Sequence, residues 1–224
     1  MAMRLRPLWG DQRGAVLVEI TIMLVILFIF VLGCIDFLMA MYQWNAAAKA
    51  VQVGARIAAV STPVAQDFTD ITGLEGGADA GTFPPPSFTT RTCSGAGSGT
   101  CTGGSTYNAV NMNRIVYGRV PAPVANMGPV PFCVDATSPY EMGMCDAFHR
   151  VTPANVVVSY MYSGLGYAGR PGGPVPTVTV SLQNIPFQFF FLGGLMGFAN
   201  INIPPLTTTI TGEDLSSCGA ETCP

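Results

Sequence analysis

The hydrophobic pattern is strongly uneven along the chain. Residues 20–35, ITIMLVILFIFVLGCI, carry no charge, and Thr21 is their one polar residue. The apolar stretch extends from Ala15 to about Tyr42, interrupted by Glu19 and Asp36. As a helix rising about 1.5 Å per residue it exceeds the roughly 30 Å hydrocarbon core of a bilayer. Residues 42–60, YQWNAAAKAVQVGARIAAV, are good helix formers with no proline before Pro63, so the helix is expected to continue to roughly 45 residues. From Thr62 to Thr106 the composition turns to Gly, Ser, Thr, Pro and Asp without apolar periodicity, and the spacing predicts loop.

Strand patterns follow. Arg114–Val120 alternates around β-branched residues, and residues 155–162 (NVVVSYMY) and 177–182 (TVTVSL) are clearer still. LTTTI at 206–210 is a weaker candidate. In 177–182 the hydroxyl residues alternate with Val178, Val180 and Leu182, which predicts one buried and one wet face. The Gly- and Pro-rich connection from Gly164 to Pro176 suits a hairpin-type loop between the two best strands. A small antiparallel sheet packed on the long helix is the simplest assembly of these elements. A second apolar stretch, IPFQFFFLGGLMGFANINI at 185–203, is too interrupted to span a membrane. Burial is expected for it, with a contact surface for another subunit or the bilayer as the alternative.

Composition narrows the class. The 224 residues are 49% hydrophobic but only 10% charged, whereas soluble domains carry about 25% charged residues. With Gly 26 and Pro 18 as well, a disordered acidic tail, a coiled coil and an ordinary cytosolic enzyme are excluded. The net charge of −3 argues against nucleic acid as a partner. Membrane-anchored and secreted classes remain. Arg4, Arg6 and Arg13 stand before the apolar run against Asp11 alone, so the N-terminus is expected in the cytoplasm and the chain beyond about residue 42 outside it. A secretory signal peptide cut near Ala46-Ala47-Ala48 is the competing reading, but its apolar region would be unusually long and would hold carboxylates.

Those carboxylates matter because acids inside a membrane are costly and mark a site with a partner. Glu19 is the fifth residue after Gly14 in the string RGAVLVE. A basic leader ending in Gly, four apolar residues, Glu and a long apolar run form the pattern of a type IV prepilin leader. An interfacial Glu that snorkels into the headgroups is the bland alternative.

Cysteine usage fits the far side of a membrane. Cys34 lies in the apolar run, and Cys93, Cys101, Cys133, Cys145, Cys218 and Cys223 lie beyond it. An even number in an oxidising compartment implies disulfides, and six cysteines allow about fifteen connectivities. Loop-closure entropy favours sequence neighbours: 93–101, 133–145 and 218–223. No metal site or cofactor is expected, because zinc-type spacing is missing and His149 is the single histidine. No catalytic residues are assigned either: His149 has no orienting motif, and Asp135, Glu141 and Asp146 lie among turn residues.

Residues 13–60 resemble the N-terminal signature of the TadE-like family of the tight-adherence (Flp, type IVc) pilus system. The matching residues are Arg13-Gly14-Ala15 with Val18-Glu19, Asp36-Phe37, and Val53-Gly54-Ala55-Arg56 with Ala58-Ala59, with Ile20 departing from the aromatic usual there. The resemblance implies an α+β protein, in which a long transmembrane helix continues into a pilin-like domain with a small antiparallel sheet and long Gly/Pro-rich loops. It divides the chain into a leader (1–14), a membrane and protruding helix (15–61) and a disulfide-tied extracytoplasmic domain (62–224, with 62–112 mostly loop). It implies processing between Gly14 and Ala15 by a prepilin peptidase, and assembly through Glu19. The implied partners are major and minor pilins, the inner-membrane assembly platform and the lipid bilayer, and the implied role is a structural minor pilin or pseudopilin, not an enzyme. The chain would stay in a bacterial inner membrane with its C-terminal domain periplasmic, or enter a surface pilus. The alternative is a single-pass anchored binding or adhesin protein with an uncleaved span.

Overall fold

The computed structural model describes residues 13–70, 74, 79–83, 90–118, 142–169, 174–191, 193–194, 201–212 and 215. One helix, α1, runs from Arg13 to Ala59. It has the length and apolarity to cross a membrane, and its side chains from Gly14 to Val31 are all exposed. With no glycine or proline between Gly33 and Gly54, nothing in the chain breaks it in the middle. It ends where Ser61 donates from its hydroxyl to the Ile57 carbonyl (2.6 Å) and Pro63 forbids a further turn.

Among the described residues five strands form one antiparallel sheet in the order β2-β1-β3-β4-β5. They are β1 (Arg91–Ser94), β2 (Thr100–Cys101), β3 (Val156–Leu165), β4 (Val175–Leu182) and β5 (Leu206–Thr211). The register places Val158 opposite Val180 and Tyr160 opposite Val178, so one face is a continuous apolar surface. On the other face hydroxyls meet across strands: Thr92 with Ser159 at 3.0 Å, and Thr179 with Thr209 at 2.9 Å. The alternation expected for 177–182 is therefore present, and the α+β class holds.

Two compact units result: the helix up to Tyr42 together with Gln188–Ile201, and Gln43–Phe187 together with Asn202–Pro224. The second contains the core. Ala47, Ala50, Val51, Ala55, Ile57 and Ala58 of α1 meet Val156, Val158, Tyr160, Val178, Val180 and Leu182 of the sheet. The alanines are small residues through which this helix joins the buried cluster.

Three expectations need correction. Residues 114–117 are helical, not extended: α2 covers Ala109–Tyr117. Met112, Ile115 and Val116 are its buried residues, a spacing of three and four that outweighs the β preference of Ile and Val. The Asn108 side chain caps the helix by accepting from the amides of Val110 (2.9 Å) and Asn111 (3.2 Å). Second, residues 91–101 are not simple loop but the hairpin β1–β2, whose short strands carry too little apolar sequence to show a period. Third, 185–203 is not uniformly buried. Ile185 and Ile203 are buried, while Phe190 and Phe191 are exposed at 63% and 41%.

Candidate anchoring and assembly site

The residues singled out by sequence fall at three levels of α1. Gly14, Ala15 and Glu19 occupy its first turns and are exposed. Glu19 stands about one turn beyond Ala15 on the same helix. Among the described residues no side chain or backbone group bonds its carboxylate, although Thr21 beside it donates to the Val18 carbonyl (2.7 Å). Arg4, Arg6 and Asp11 lie outside the described residues.

The second level is Asp36, which sequence marked as a carboxylate within the apolar run and as half of the Asp36-Phe37 pair. It is completely buried. Its two oxygens accept from successive backbone amides, Oδ1 from Phe190 (2.9 Å) and Oδ2 from Phe191 (3.0 Å). A carboxylate receiving two aligned N–H groups satisfies donors that have no helix or strand partner. Leu32, Gly33, Asp36, Met39 and Ala40 form a partly or fully covered stripe on a helix otherwise bare at this level. On another side of the helix, Ile29, Phe30, Gly33, Cys34, Phe37 and Leu38 line a shallow apolar groove.

The third level is the Gly54-Ala55-Arg56 segment. Gly54 and Ala55 are buried and Arg56 is exposed. A Cβ on Gly54 would run into the side chain of Met144, the first residue of the short helix α3 (Met144–Ala147). Glycine is thus required by close approach, not by backbone conformation. Helix α3 is held by Asp146, which accepts from the Gly143 amide (2.7 Å), so this acid has a capping role. Arg150 donates to the Pro186 carbonyl (2.7 Å) and to Gln43 Oε1 (3.4 Å). His149 is exposed, while Asp135 and Glu141 lie outside the described residues.

Cys93 and Cys101 are opposite one another on β1 and β2 and form a disulfide. Cys145 is also disulfide-bonded, and its partner lies outside the described residues, as Cys133, Cys218 and Cys223 do. Cys34 is free and exposed.

Residues 14–56 match the family model described as TadE-like protein. Over that stretch α1 is similar to TadE-like proteins. Neither a curated protein nor a solved structure matches the chain. The matched residues take in all three levels: Gly14 and Glu19, Asp36, and Gly54 with Arg56. The TadE-like segment ends three residues short of the end of α1, so the sheet and its disulfides lie outside it.

Proposed function

We propose that this chain is a minor pilin or pseudopilin that assembles, primes or caps a tight-adherence pilus. The TadE-like match over residues 14–56 supports association with such a pilus, and the length and apolarity of α1 support a membrane anchor. The finer reading rests on one observation: Glu19, at the fifth position after Gly14, is a carboxylate on a bare apolar helix with no partner among the described residues. A charge placed there is costly unless a cation meets it. Cleavage after Gly14 by a prepilin peptidase would create one, the α-amino group of Ala15.

The new amine would lie about one helical turn from Glu19 in the same chain, or face the Glu19 of a neighbour. Pairing between neighbours would set the axial register of subunits packed helix to helix. The groove around Gly33 and Cys34 is an apolar surface on which a second helix could lie. In this reading the N-terminus is cytoplasmic and the sheet domain periplasmic or on the fibre, held by the pairings 93–101, 133–145 and 218–223. The partners are the major and minor pilins and the inner-membrane assembly platform. The chain is a structural component and performs no catalysis.

Piliation tests the proposal. Cells lacking the chain should lose or shorten their fibres, the parent sequence should restore them, and Glu19→Ala should not. Restoration by Glu19→Ala to the parental level contradicts the assembly role.

A further inference from the structure

We propose that the 188–191 segment is a second membrane contact, seated in the bilayer interface at the end of the span remote from Gly14 and held there by Asp36. This rests on α1 crossing a membrane, and the test below separates the two claims.

The partner follows from chemistry. From Glu19 to Asp36 the helix rises about 26 Å, close to the roughly 30 Å thickness of a hydrocarbon core, which puts Asp36 near its boundary. Residues Gln188–Ile201 belong to the same compact unit as the span. No residue between Arg170 and Glu213 is charged, so the segment brings no charge into contact with lipid. At its tip Phe190 and Phe191 are exposed, next to the two amides that bond Asp36. Backbone outside a helix or sheet is tolerated at membrane depth only where its polar groups are satisfied by protein. Asp36 supplies that satisfaction twice over, and the amides in turn solvate its carboxylate. Aromatic rings at the polar boundary of a bilayer are in their favoured place. Asp36 is thus a positioning residue for a lipid-seated loop.

The test uses the full chain in liposomes containing phosphatidylcholine brominated high or low on its acyl chains. The background carries Trp9→Phe and Trp44→Phe, and single tryptophans are introduced as Phe30→Trp, Phe190→Trp and Thr209→Trp. Phe30→Trp reports insertion of the span and should be quenched most by deep bromines. Phe190→Trp should be quenched most by shallow bromines, at least about twofold more than Thr209→Trp on the sheet. If Phe30→Trp is quenched and Phe190→Trp is no more quenched than Thr209→Trp, the loop faces water or protein and the proposal is overturned. If Phe30→Trp is silent, the anchor itself is wrong and the proposal falls with it.

A second arm tests the carboxylate. Adding Asp36→Ala should remove about half or more of the shallow quenching at Phe190→Trp, while Asp36→Asn, which keeps an acceptor, should retain more of it. Parental quenching in Asp36→Ala overturns the positioning role. Retained Phe30→Trp quenching and a closed Cys93–Cys101 bond establish that the variants are inserted and folded.

Discussion

Tyr160 is buried completely, and its hydroxyl accepts from the Val64 amide (3.0 Å) just beyond the end of α1. With the Asn108 amide donating to the Val64 carbonyl and the Asn111 side chain to the Pro63 carbonyl, that bond holds the chain where it leaves the long helix. Tyr160→Phe should cost about 1–3 kcal/mol, because it leaves the Val64 N–H buried without an acceptor. Denaturant titration in detergent measures it, and an unchanged midpoint would contradict the assignment. Burial raises the Tyr160 pKa. The folded chain therefore holds this proton to higher pH than the unfolded one, and the sign follows. Its contribution is complete below the ordinary tyrosine value near 10 and is lost as pH rises toward the raised folded value. Absorbance of tyrosinate should show one ring that ionises only with unfolding. Gly54 is the other demanding position. Gly54→Leu should destabilise by about 1–3 kcal/mol through overpacking against Met144, and Met144→Ala should recover part of it. Equal melting of Gly54→Leu and the parent would mean that α3 moves away at no cost.

At the scale of elements, legibility in the sequence followed the strength of the period. Helix α1 was readable because its apolar run is long and free of breakers, and β3, β4 and β5 because β-branched alternation persists over whole strands. Helix α2 was misread, since Ile115 and Val116 favour strand locally and only Met112 and the Asn108 cap reveal the helical spacing. The β1–β2 hairpin could not be read from periodicity at all. It is specified by covalent closure, with Cys93 paired to Cys101 across the two strands. Replacing both with serine should cost about 2–3 kcal/mol by the loop-entropy estimate. A melting temperature equal to the parent's would show that pairing with β3 alone holds the hairpin. The partner of Asp36 was equally hidden, because Phe190 and Phe191 contribute backbone amides, which carry no sequence signal.

For the whole molecule, the two ends of the candidate span are marked by carboxylates with opposite circumstances. Asp36 is satisfied within the chain, and Glu19 has no partner among the described residues. Cys93, Cys101 and Cys145 are disulfide-bonded, a state that persists in oxidising compartments. Thiol counting on the denatured, unreduced chain should find Cys34 as one free thiol; three or more would contradict the paired arrangement. All of these features are compatible with an anchored protein that is never processed, so the central claim turns on the leader. The decisive measurement is the N-terminal sequence of the mature chain from cells that make its pilus. The account predicts Ala15 as the first residue. A mature chain beginning at Met1, or downstream near Ala48, would contradict it.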